Sequence, residues 1–216
     1  MRAAADAAWE SNWEEAVKAY REALVQSPEN VEALTGVGMA YAHLGKRSEA
    51  SAAYRRASDL APEDPVLLER VGKALEGLGR PEEACKAYLS CAEQYIRKQE
   101  SPEQAVACWE SAARVQPQSV EAHVQLLKHY QRQGRIADAA DACLHLARIY
   151  GEQARWDYGI RLCEHALRLS PRNAEAMALR DSLRRQKRIE ERQEAPDGAT
   201  HQPRAEEKEP VALPDA

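Results

Sequence analysis

Apolar residues recur along this chain at three- and four-residue intervals rather than in alternation, which is the signature of helices packed on one face. Leu34, Val37, Gly38 and Tyr41 stand at i, i+3, i+4 and i+7, a single helical stripe. A second stripe, Ala50, Tyr54 and Ala57, follows Gly45 and is closed by Pro62. Gly45 can take the positive φ that ends a helix, and Pro62 cannot continue one. The window 31–64 thus predicts two antiparallel helices. Gly38 and Ala50 are small where the two backbones approach, and Tyr41 and Tyr54 fill the space beside them.

The same pattern returns along the chain. Pro28, Pro62, Pro117 and Pro171 fall at intervals of 34, 55 and 54 residues. Before the clear unit, Trp13, Ala16, Tyr20, Ala23 and Pro28 supply a second helix, with a shortened first helix ahead of it. After it, Leu68, Val71, Gly72, Leu75 and Gly79 repeat the first stripe, and Ala84, Tyr88 and Cys91 the second. No proline closes that unit. Instead Tyr88, Cys91, Ala92 and Tyr95 continue as the face of another first helix, and Cys143, Leu146, Ala147 and Tyr150 do the same further on. Each long interval is therefore read as two ordinary helices merged into one of roughly 18 residues, about 27 Å long. Ser11-x-x-Glu14 and Ser101-Pro102-Glu103-Gln104 read as capping boxes, and all seven prolines before residue 190 fall at expected helix edges.

The unit at 31–64 resembles a tetratricopeptide repeat, with Leu34 where that family commonly carries tryptophan. The resemblance implies an all-α fold, a right-handed α-solenoid of antiparallel helix pairs. The expected units are approximately 1–30, 31–64, 65–98, 84–117, 118–150 and 139–172, with a capping helix at 173–193 that turns strongly charged from Arg184. Residues 194–216 hold four prolines and six acids and read as a disordered tail.

Composition supports this architecture: forty alanines and no phenylalanine suit close-packed helices better than a β-sandwich. No apolar run approaches the ~20 residues of a membrane span. Charge is uneven, with a net −4 over residues 1–64 and +4 over 118–193. The basic stretch is expected to attract acidic protein segments, or the acidic tail of the chain itself. An overall net charge of −5 weakens any case for nucleic acid.

Catalytic and metal-binding patterns are missing from the sequence. Five cysteines and six histidines include no Cys-x2-Cys and no His-x3-His. In Cys143-x-His145 and Cys163-x-His165 the two side chains point about 200° apart on a helix and cannot share one ion. The cysteines read as reduced core residues with their histidines pointing elsewhere, in a cytoplasmic protein. No glycine-rich phosphate loop and no nucleophile elbow is present. Neither a cofactor nor an enzymatic activity is expected.

The resemblance places a ligand on the concave face, mostly against first helices. By position, that face would be Glu32, Thr35, Met39 and His43, then Glu69, Arg70, Lys73 and Glu76, then Val124, Lys128, Gln131 and Arg132, with Arg148 from the second merged helix. One subclass of the family clamps chaperone C-terminal carboxylates with lysine, asparagine and arginine. Here Arg70 fills one clamp position, but Gly36 and Met39 stand where asparagines are needed and cannot make those hydrogen bonds. The expected function is a non-catalytic scaffold or adaptor that binds a peptide or protein segment in the groove. The alternatives are self-assembly through apolar surface at Ala3, Ala4, Ala7 and Trp9, and a docking or regulatory arm of a larger enzyme or complex.

Overall fold

A computed structural model describes residues 2–98 and 101–194, and among the described residues the regular structure is entirely α-helical. The chain divides into two compact units, Met1–Ser119 and Val120–Ala216. The first contains α1 (Arg2–Trp9), α2 (Trp13–Gln26), α3 (Val31–His43), α4 (Arg47–Leu60), α5 (Pro65–Gly77), α6 (Pro81–Lys98) and α7 (Pro102–Val115). The second contains α8 (Val120–Arg132), α9 (Ile136–Glu152), α10 (Trp156–Leu169) and α11 (Ala174–Glu194). Within each unit, successive helices pack as antiparallel neighbours across short turns. The tail expected from residue 194 lies outside the described residues, except for Glu194 at the end of α11.

Local chemistry sets the helix ends. Asn30 and Asp64 cap α3 and α5, their side-chain oxygens accepting from Ala33 N–H at 2.8 Å and Leu67 N–H at 3.1 Å. Pro65, Pro81 and Pro102 each occupy a first helical position, where the missing N–H costs nothing. At the other end, Gly45 takes φ +72° so that Lys46 N–H can reach back to the Tyr41 carbonyl at 2.9 Å. The same closure at the ends of α1 and α9 uses Ser11 (φ 59°) and Ala154 (φ 56°).

Both expected capping boxes are corrected. Ser11 is in the left-handed region, so Asn12 is the cap of α2 and accepts from Glu15 N–H at 3.3 Å. The Ser101 hydroxyl donates to the Glu103 carboxylate at 3.4 Å and caps no backbone N–H.

Tyrosine against glycine is the recurring packing device of the first unit. The Tyr54 ring lies against Gly38, where a Cβ would come within 3.1 Å of it, and Tyr88 lies against Gly72 in the same way. Tyr20 covers Gly36, filling the space a side chain there would need. Ala4 and Ala7 of α1 are buried with Ala16, Tyr20, Ala33 and Val37. The apolar surface expected at Ala3, Ala4, Ala7 and Trp9 is therefore smaller, because Ala4 and Ala7 are covered within the chain. Trp9 is 92% exposed.

Helix α6 has 18 residues and α9 has 17, and each packs on more than one neighbour. Ala84 and Tyr88 start the buried face of α6 and Cys91, Ala92 and Tyr95 extend it, so one helix packs on both α5 and α7. In the second unit α9 packs on α8, α10 and α11. Leu183 of α11 sits against Gly151 and Gly159, where a Cβ at Gly159 would come within 2.9 Å of it. Polar pairs hold the rest of α11 to α10: Arg184 to Glu164 at 2.7 Å, Lys187 to Asp157 at 2.5 Å, and Trp156 to Glu190.

Candidate functional site

On α3, Glu32, Met39 and His43 are exposed on the face turned away from the core. Met39 is 40% exposed, an apolar side chain on a polar row. His43 stacks on Trp13 with ring centroids 3.8 Å apart and planes 3° from parallel. Thr35 does not belong to this surface: it is buried, and its hydroxyl donates to the Val31 carbonyl at 2.8 Å and the Glu32 carbonyl at 3.0 Å. Burial, assisted by the Glu32 charge, raises the Tyr20 phenol.

On α5, Glu69 and Lys73 form an i,i+4 ion pair at 2.5 Å, which raises the Lys73 ammonium. Arg70 is exposed and close enough to Tyr54 to offset part of the upward shift that burial gives that phenol. Glu76 is engaged within the fold, accepting from the Arg114 guanidinium and from the Tyr88 hydroxyl at 3.0 Å. Arg114 holds the Glu76 carboxyl below its usual range, while burial and Glu76 push Tyr88 up to about 12. A carboxylate tuned this way is a fixed anion at neutral pH and has no proton to give.

On α8, Val124 is buried and offers nothing to a ligand. Lys128 is half-buried and Arg132 exposed, one turn apart on the same face. Gln131 is tied to His165 of α10, its carboxamide nitrogen 2.6 Å from Nε2. The Arg168 guanidinium lies 2.9 Å from Nδ1 of that ring, and a guanidinium can only donate. Nε2 therefore carries the proton, and turning the Gln131 carboxamide over, so that its otherwise partnerless oxygen faces Nε2, lets that oxygen accept it. His165 is 2% exposed, so it is an interior residue, contrary to the expectation that it points away from the core. Arg148 of α9 is paired with Glu175 of α11.

Two arrangements had no sequence signal. His123 of α8 and His145 of α9 stack with centroids 4.9 Å apart and planes 9° from parallel. A groove of about 590 Å³ also opens between α4 and α6, with Leu68 and Leu75 of α5 in its lining. Among the described residues no group of three histidine, cysteine or acidic side chains could hold a metal ion, and no helix is long and apolar enough to cross a membrane. All five cysteines are free and buried.

No curated protein matches this sequence. Among solved structures, the crystal structure of MamA is similar at 16% identity, covering 81% of this chain and 98% of that one with a TM-score of 0.34. Pseudomonas aeruginosa PilF is similar at 17% identity over 83% and 94%, TM-score 0.38. The structure of Naa15/Naa10 bound to HypK is similar at 15% identity over 88% of this chain and 34% of that one, TM-score 0.37. The family model for the tetratricopeptide repeat matches residues 2–65, 44–96 and 97–154. With its paired helices, its tyrosine-on-glycine packing and a family match over more than half its length, the chain belongs to the tetratricopeptide repeat family.

Proposed function

We propose that the chain is a non-catalytic scaffold that holds a segment of another protein against the outward rows of its first helices. The observation that carries this is on α8. Lys128 and Arg132 stand one turn apart with no carboxylate partner among the described residues. Elsewhere in the same unit Arg148, Arg180, Arg184 and Lys187 each face a carboxylate. Cations left unpaired beside paired ones favour an acidic partner segment, by charge complementarity and faster encounter. In the first unit the corresponding row is Glu32, Met39, His43, Glu69, Arg70 and Lys73, where Met39 supplies an apolar anchor and Arg70 has no carboxylate partner among the described residues.

The test is affinity capture from the native lysate with the wild type and two charge-reversed variants, Lys128→Glu with Arg132→Glu, and Met39→Glu with Arg70→Glu. Arg148 is left alone because reversing it would strand Glu175. A protein held by the wild type and lost with the α8 variant supports an acidic segment on that helix. Retention by both variants overturns the reading. Self-association through the first helix is a second reading, favoured by Trp9 at 92% exposure. Sedimentation of the wild type beside Trp9→Ala decides it, since a monomeric wild type rules it out.

A further inference from the structure

The groove between α4 and α6 is not part of the first-helix rows, and its walls come from the second helices of two successive repeats. Arg55, Ser58 and Asp59 of α4, with Pro62 after it, form one wall, and Glu83, Lys86, Ala87, Ser90, Glu93 and Gln94 of α6 form the other. Both helices run antiparallel to α5 and so parallel to each other. Ser51 donates to Glu83 at 2.5 Å, which fixes their stagger. Advancing both helices equally from that bond puts Ser58 opposite Ser90 and Pro62 opposite Gln94. Midway, the walls face each other through the small side chains of Ser58 and Ser90, which leave space between them. At the far end, Arg97 reaches Glu63 at 3.9 Å. The groove is thus bridged at both ends and open between them, over about 18 Å of helix.

Its chemistry is polarised along that length. Near the Ser51–Glu83 end the available charges are Arg55 and Lys86, since Glu83 is engaged by Ser51 and Arg80. Near the other end are Asp59 and Glu93, neither with a partner among the described residues. Beside them is Gln94, 6% exposed, and its side-chain carbonyl oxygen is buried without a hydrogen-bond donor. A buried acceptor left unpaired costs stability unless something supplies a donor. Two carboxylates at one end of the trough, beside a carboxamide whose buried, donorless oxygen is exposed only when the Gln94 side chain turns, call for a cation rich in N–H groups.

We propose that this groove binds a segment of a partner protein that places an arginine or lysine side chain among Asp59, Glu93 and Gln94. The segment's aliphatic residues lie across the middle of the groove at Ser58, Ala87 and Ser90, with the buried Leu68 and Leu75 beneath. An acidic residue about 10 Å further along meets Arg55 and Lys86, the spacing being that of Lys86 and Glu93 on α6. An elongated trough open along one side suits a stretch of chain rather than a compact molecule. The inference goes beyond the first-helix reading and does not depend on it.

The test pans a displayed library of random twelve-residue peptides against the full chain. Enriched peptides are then measured against the wild type, Gln94→Leu, Glu93→Lys and Lys128→Glu with Arg132→Glu. Gln94→Leu removes the unpaired oxygen, so it is expected to keep or raise the melting temperature while weakening peptide binding about tenfold or more. Glu93→Lys is exposed and is expected to weaken binding similarly without altering the melt. Enriched peptides that share an arginine or lysine flanked by aliphatic residues, and that lose affinity in both groove variants, support the proposal. No enrichment, or enriched peptides that bind the groove variants as tightly as the wild type, overturns it. Peptides lost only with the Lys128 and Arg132 variant also overturn it while leaving the α8 reading standing.

Discussion

The sulfur atoms of Cys91 and Cys108 lie 2.8 Å apart, joining α6 to α7 inside the first unit. Cys91 also donates to the Pro65 carbonyl at 3.3 Å, so the Cys108 thiol is the donor toward Cys91 and neither group is left unsatisfied. The hydrogen bond to Cys108 and burial both push the Cys91 thiol far up. Burial raises Cys143 to about 12 and Cys163 to about 11. Only the thiolate reacts rapidly. A chromogenic disulfide reagent is therefore expected to modify almost no thiol in the native protein, and all five cysteines once denaturant is added. Rapid modification of Cys91 or Cys108 in the folded state would contradict this packing.

Replacing Gly72 with alanine tests the tyrosine-on-glycine device. The new Cβ would stand 2.8 Å from the Tyr88 ring, which is almost fully buried and anchored through its hydroxyl to Glu76. Alanine improves helix propensity by about 1 kcal/mol, but overpacking of this kind costs about 1–3 kcal/mol. A net loss in denaturant melts is expected. Gly77→Ala, where a Cβ would meet nothing, is the control and should be neutral or stabilising.

His165 should make the second unit acid-sensitive. Burial, with Arg168 adding to it, holds the imidazole below the usual histidine value of about 6.5. The unfolded chain then binds a proton that the folded chain resists. The stability contributed by neutral His165 is complete above the unfolded value and is lost as pH falls through it toward the folded one. Thermal melts between pH 7.5 and 5 should show this decline, and His165→Gln should flatten it. An unchanged slope in the variant would assign the acid sensitivity to other groups.

Proline at Ala92 or Ala147 tests the continuity of the two long helices. Both residues are fully buried within α6 and α9. Each substitution removes a backbone hydrogen bond and drives the ring into the preceding turn, at about 3 kcal/mol or more. Circular dichroism melts should drop steeply for both. A melt like that of the wild type would mean the helix is already broken there.

Much of the backbone was legible in the residues because it depends on local periodicity. The stripes around Leu34 and Tyr54 place α3 and α4, and Tyr88 through Tyr95 marks α6 as long. Gly45 and Gly79 announce their turns because a positive φ favours glycine. Ser11 and Ala154 adopt the same conformation without any such signal, which is why the first was misread as part of a cap. The site was less legible. Thr35 occupies a row position but satisfies its hydroxyl on its own helix, so burial is no burden to it. The groove beside Gln94 depends on the stagger between α4 and α6, which their shared 34-residue repeat does not specify and the Ser51–Glu83 bond reveals.

The sharing of α6 between its neighbours bears on how this protein comes apart. In a solenoid of separate repeats each interface can open alone, and stability is roughly a sum over repeats. Because one unbroken helix packs on both α5 and α7, no boundary falls between them where melting could halt. The amides of α5, α6 and α7 should exchange with solvent deuterium at one common opening energy, as a single cooperative block. The eight-residue α1, packed on α2 and α3, should exchange well before it.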